Sequence, residues 1–120
     1  MLKSRIRSFK FAGIGIRELF TSQPNARIHL FVALVVTVSG FLLKISILEW
    51  CIVIVTIFGV LAAEAFNSAI ENLTDLVSPD FHPLAGKTKD LAAAAVLFMA
   101  IGAVLVGFLI FGPKIWTLLN

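Results

Sequence analysis

Charge is what this sequence has least of. Only 14% of its 120 residues are Asp, Glu, Lys or Arg, while 59% are hydrophobic; an average soluble domain has about 25% charged and roughly 45–50% apolar residues. That balance excludes an ordinary soluble domain and points to an integral membrane protein. Cysteine is nearly absent too. Cys51, in an apolar run beside Trp50, has no second thiol to pair with, which excludes an intrachain disulfide and leaves a small apolar side chain. No cleavable signal peptide is evident, because the basic N-terminus leads into Arg17, Glu18, Gln23 and Arg27 instead of a compact apolar core with a small-residue cleavage site. There is no internal repeat and no low-complexity tract. A Walker A glycine loop and a kinase-type glycine loop are both missing, so no soluble nucleotide-binding fold is supported. The net charge of +3 does not argue for nucleic acid, since the basic residues have a better use in membrane topology.

What is present is a succession of apolar segments. Residues 1–21 mix Lys3, Arg5, Arg7, Lys10 and Arg17 with Leu2, Ile6, Phe9, Phe11, Ile14, Ile16, Leu19 and Phe20, too charged to span a bilayer and suited to an amphipathic surface helix that Gly13 and Gly15 could break. A basic tail that only fixes orientation also fits. A turn at Thr21 to Asn25, with Ser22 as cap and Pro24 in the first helical turn, starts a first span over 24–45. A second span over 48–77, about 45 Å long, is too long for a hydrocarbon core of about 30 Å and projects past it. A loop over 78–89, with two prolines and a glycine as breakers, leads to a third span over 90–112 that Gly112-Pro113 ends. Asp90 suits the N-cap of that span. Lys3, Arg5, Arg7, Lys10, Arg17, Arg27, Lys87 and Lys89 lie on one side, against Lys44 and Lys114 on the other, which puts the N-terminus and the 78–89 loop in the cytoplasm. Small residues on the second span (Gly59, Ala62, Ala63) and the third (Ala92 to Ala95, Gly102, Gly107) permit close helix packing, within the chain or between copies.

The polar residues of the second span carry the functional signal. Glu64, Asn67, Ser68, Glu71 and Asp75 stand at offsets that place all five within roughly one third of a helix circumference. An ionisable side chain inside a span costs about 3 kcal/mol by insertion scales, so a stripe of them marks a functional site. Around its cytoplasmic end the order of the chain gathers Asp80, Asp90, Lys87, Lys89, Arg17, Arg27, His29 and His82. Phosphoryl transfer needs such a set: carboxylates for Mg²⁺, a cation for the transferred group, and a further carboxylate for the attacking hydroxyl. A cation or proton site in a transporter uses similar residues, and the residues alone favour neither. Bland readings stand beside each: Lys87 and Lys89 as positive-inside anchors, Asp75 as a solvated helix end, His29 as a hydrogen-bonded interfacial histidine. Glu64, deepest in the stripe, is the hardest to explain blandly, because burying a charge without purpose is costly.

The stripe and the loop after it, E64-A-F-N67-S-A-I-E71-N-L-T-D75 and H82-P-L-A-G86-K-T-K89-D90-L-A-A-A-A-V, closely resemble the prokaryotic diacylglycerol kinase family, which includes the undecaprenol kinases. Weaker similarity extends over G15-I-R17 and P24-N-A-R27-I-H29. The resemblance implies an all-α membrane protein with three transmembrane helices and an N-terminal amphipathic interfacial helix. It further implies a homotrimeric bundle whose sites are composed between neighbouring subunits, multi-pass in the bacterial cytoplasmic membrane. The implied activity is ATP-dependent phosphorylation of the primary hydroxyl of a membrane lipid, diacylglycerol or undecaprenol, with Mg²⁺ as cofactor. By resemblance Glu64 matches the catalytic base and Glu71 a metal-binding carboxylate that also contacts the nucleotide. Lys89 and Asp90 match nucleotide contacts, and Asp80, Phe81 and His82 lie where the loop approaches the nucleotide. Asn67, Asp75 and Arg17 match supporting polar positions. One departure stands out: where the family usually has a second metal-binding glutamate before the first span, this chain has Gln23, whose amide offers an oxygen without charge. Either another carboxylate such as Glu18 compensates, or the protein works at higher Mg²⁺, or it is a weakened member of the family; we take the second as the hypothesis. The N-A-R-I-H-L and H-P-L-A stretches look more like the undecaprenol kinase branch. Two other readings remain: a membrane cation or proton carrier using the acidic stripe, and a non-catalytic membrane-assembly subunit.

Overall fold

A computed structural model describes all 120 residues and contains four helices and no strand: α1 (Leu2–Ser22), α2 (Pro24–Leu42), α3 (Ile47–Val77) and α4 (Pro83–Leu119). The last three are long and apolar enough to cross a membrane. Hydroxyls within them bond back onto their own helices, Thr37 to Ala33 O, Ser39 to Val35 O and Thr56 to Ile52 O, which satisfies them where no water is available. Only 11 residues are buried and nearly all large apolar side chains are exposed. The chain's solvent is therefore mostly lipid or other protein.

Several helix ends differ from the sequence expectation, each for a local reason. α1 runs unbroken through Gly13 and Gly15; both glycines face open space, and each costs a helix only about 1 kcal/mol relative to alanine. Ser22 does not cap α2: its hydroxyl donates to Glu18 O at 2.7 Å, and Gln23 is the N-cap, with Pro24 in the first turn. α2 stops at Leu42, short of 45. Ile45 N–H donates to Gly40 O (3.1 Å) and Lys44 N–H to Phe41 O (3.3 Å), the paired bonds of a Schellman ending. Lys44 sits at its left-handed position with φ 51°.

The connection after α3 is shorter than a 78–89 loop. Pro83 starts α4 instead of breaking the chain, since its fixed φ and missing N–H suit a first helical turn, and His82 caps it with Nδ1 accepting from Leu84 N–H at 3.1 Å. Asp90 therefore lies two turns inside α4 and is not its N-cap. Pro113 does not end α4 at 112 either, and the helix continues to Leu119. Lost backbone bonding at such a proline is tolerated in spans where neighbouring groups compensate.

α3 and α4 form the most extensive helix pair, with α2 against α3 and α1 against both α2 and α3. Three contacts set the α3–α4 register. Asp75 pairs with Lys89 at one end, a Cβ on Gly59 would overlap Met99 Cε in the middle, and Lys114 Nζ lies 3.2 Å from Glu49 Oε2 at the other. Glu49 also closes a capping box with Ser46 at the start of α3. Ile45, Val53 and Ile110 form the small core beneath that end. Gly102 and Gly107, by contrast, meet nothing within the chain.

Candidate active site

The polar stripe of α3 becomes less buried toward its C-terminus. Glu64 is 2% exposed and Ser68 is buried with it; Asn67 and Glu71 are half-buried, and Asp75 is exposed. One helix thus carries carboxylates from a closed environment to an open one over eleven residues. The two ends face different neighbours. Glu64 turns to α2, where His29 Nε2 stands 3.9 Å from its Oε2, while Asp75 accepts a hydrogen bond from Lys89 of α4. Ser68 stiffens the turn between, its hydroxyl donating to Glu64 O at 3.0 Å.

Asn67 Oδ1 is buried and has no hydrogen-bond partner. A buried acceptor left unpaired costs about 1–3 kcal/mol, so this oxygen is poised for something the chain alone does not supply. Gln23, between α1 and α2, bonds through its backbone, its N–H donating to Leu19 O (3.0 Å) and its O accepting from Arg27 N–H (3.4 Å). Its side chain makes no capping bond. Arg27 is held by donation to Thr21 O at 3.1 Å, and Arg17 is exposed, its carbonyl accepting from Thr21.

No three His, Cys, Asp or Glu side chains converge into a preformed metal cage. Magnesium needs no such cage, since one or two carboxylates can share the ion with phosphate oxygens and water. The hard oxygens of Glu71, Gln23 and the unpaired Asn67 Oδ1 fit such an ion.

The residues expected from the sequence to meet a nucleotide lie on or beside the short connection. Asp80, Phe81 and His82 are exposed, Phe81 at 93%, with Ser78 donating to Asp80 O at 3.0 Å. His82 is engaged in capping α4, Lys89 in its pair with Asp75, and Asp90 faces outward. Within one chain these groups are spread along the α3–α4 end and do not close around a ligand. Below the stripe, α2, α3 and α4 enclose a cleft of about 410 Å³ lined by twelve hydrophobic residues among fifteen, with Val60, one turn before Glu64, on its wall and His29 its one titratable group. The His29–Glu64 pairing is the main feature that sequence reasoning missed. The two residues are 35 positions apart, and only their common polarity in apolar surroundings hinted at it.

The sequence is similar to those of known proteins. The family described as prokaryotic diacylglycerol kinase matches residues 10–111. The undecaprenol kinase of Bacillus subtilis is 41% identical over 109 residues, covering 91% of this chain and 89% of that protein. A diacylglycerol kinase of Synechocystis is 36% identical over 113 residues, covering 93% of this chain and 65% of that protein. The diacylglycerol kinase of Escherichia coli is 28% identical over 100 residues, 83% of this chain and 82% of that protein.

Proposed function

Because this chain belongs to the prokaryotic diacylglycerol kinase family, we propose that it transfers the γ-phosphate of Mg-ATP to the primary hydroxyl of a membrane lipid, with undecaprenol preferred over diacylglycerol. The observation that carries the reading is the burial of Glu64 beside His29, which itself lines an apolar cleft. A lipid alcohol lying in the bilayer would place its chain against that apolar lining and its hydroxyl at the carboxylate. Glu64 then accepts the hydroxyl proton as the oxygen attacks the γ-phosphorus in line with the departing ADP.

Glu71, Gln23 and Asn67 would hold Mg²⁺ against the phosphates. When bound, the ion would neutralise charge on the β- and γ-phosphate oxygens. Lys89 would contribute its positive charge to the phosphates, exchanging or sharing Asp75, and Asp80, Phe81, His82 and Asp90 would line the nucleotide's approach. Arg17 would support the site from α1. The N-terminus and the 78–82 connection would face the cytoplasm of a bacterial inner membrane, where ATP is available, and three copies would assemble so that residues of neighbouring chains complete each site. Support for undecaprenol comes from the greater likeness to the undecaprenol kinase of B. subtilis than to the diacylglycerol kinases of Synechocystis and E. coli.

Substrate choice is tested by competition. With undecaprenol and diacylglycerol together in mixed micelles and radiolabelled Mg-ATP, label is expected mainly in undecaprenyl phosphate. Label mainly in phosphatidic acid would reverse the assignment.

A further inference from the structure

Each turnover of such a reaction leaves a proton on Glu64, and Glu64 is 2% exposed. The proton must leave before the carboxylate can act again. We propose that His29 is a positioning residue for Glu64 and the relay through which this proton reaches solvent, an inference that rests on the reading of Glu64 as the base. His29 is suited by place as well as chemistry. Its Nε2 faces Glu64 Oε2 at 3.9 Å, and its side chain keeps 23% of its surface accessible. It thus stands beside the closed carboxylate, with part of its ring accessible on the wall of the cleft in the second turn of α2. Imidazole is the side chain that can accept a proton on one nitrogen and release one from the other near neutral pH. The separation is about 1 Å beyond a hydrogen bond, a gap that a ring rotation or one water closes.

The steps balance. The substrate O–H bond breaks, its proton goes to Glu64 Oε2, and the oxygen electron pair forms the bond to the γ-phosphorus. The bond between that phosphorus and the bridging oxygen breaks, leaving its electron pair on ADP. The Oε2–H proton then passes to the free electron pair of His29 Nε2, and the Nδ1–H proton passes to water. The carboxylate is restored and the imidazole is neutral again as its Nε2–H tautomer; a ring flip that brings the free Nδ1 to Glu64 resets the relay for the next turnover.

No other ion pair competes for either group. Arg27 of α2 is exposed and held on Thr21 O, and Arg17 and Glu18 of α1 are exposed. On α3, Glu71 is two turns away. On α4, between the Asp75–Lys89 pair and the Gly59–Met99 contact, the titratable residue is Asp90, which is exposed.

The test uses the full chain in mixed micelles with Mg-ATP and undecaprenol, comparing wild type, Glu64→Gln, His29→Gln and His29→Ala. Both His29 variants are expected to lower kcat about 10- to 100-fold while leaving KM for each substrate within about twofold. Added imidazole should restore the His29→Ala rate saturably and leave Glu64→Gln inactive, a response that a purely structural role would not give. Independently of turnover, the imidazole ¹⁵N resonances of His29 should move in Glu64→Gln. Wild-type kcat in His29→Gln, a folded but slow His29→Ala that imidazole fails to rescue, or ¹⁵N resonances indifferent to Glu64→Gln would each overturn the relay. The two readings fail differently. If wild type transfers no phosphate, the kinase reading falls and takes the relay with it; if Glu64→Gln is dead while His29→Gln runs at the wild-type rate, the relay alone falls.

Discussion

Single side chains decide the chemistry, and Gln23 is the most exposed to test. Its amide makes no capping bond in the α1–α2 junction, so it is available to a metal, but a neutral oxygen holds Mg²⁺ less firmly than a carboxylate. Gln23→Glu is expected to lower severalfold the Mg²⁺ concentration that gives half-maximal transfer. An unchanged Mg²⁺ dependence would remove Gln23 from the metal site. At this scale the sequence was informative where periodicity sufficed: Glu64, Asn67, Ser68, Glu71 and Asp75 share a face, and their burial deepens toward Glu64 as the stripe suggested. It was silent on His29 meeting Glu64 and on Lys89 meeting Asp75, because those distances are set by how α2 and α4 pack on α3. Asn67 Oδ1 was likewise legible as a polar position, whereas its lack of a partner is visible only in three dimensions.

Helices place these residues, and their ends are where local chemistry was ambiguous. Pro83 and Pro113 both read as stops; the first starts α4 and the second lies within it, since proline excludes one backbone bond without fixing which side of it is helical. Asp90 looked like a cap for the same reason, while His82 holds that position. The α2 ending makes a quantitative prediction. Lys44 adopts φ 51°, a conformation that costs an L-residue about 1–2 kcal/mol and glycine far less. Lys44→Gly should therefore stabilise the chain by about 1 kcal/mol in denaturant unfolding from micelles; destabilisation would show that the lysine charge matters more than the backbone. Gly40 is the converse. A Cβ there would come within 2.8 Å of the Trp50 ring and 3.1 Å of Ile45, and that ring is itself packed on Phe41 with centroids 4.8 Å apart. Gly40→Ala should cost about 1–3 kcal/mol in the same assay, and a neutral effect would mean that Trp50 moves freely.

At the scale of the whole molecule the proposal is an assembly of copies. With 11 of 120 residues buried, and with the residues proposed to meet the nucleotide dispersed along the α3–α4 end, the proposed composite site between copies would bring them together. Mixed oligomers of Glu64→Gln and Lys89→Ala chains, each inactive alone, should regain part of the wild-type rate, because some sites would then draw an intact residue from each partner. Failure of mixing to restore any rate would assign each site to a single chain. The central claim, that the buried carboxylate of α3 is the base of a lipid kinase, is tested most directly by following radiolabelled phosphate from Mg-ATP into undecaprenol with wild type and Glu64→Gln side by side. The account predicts transfer by wild type and a loss of at least about a hundredfold in the folded variant; a Glu64→Gln chain that transfers phosphate at the wild-type rate would contradict it.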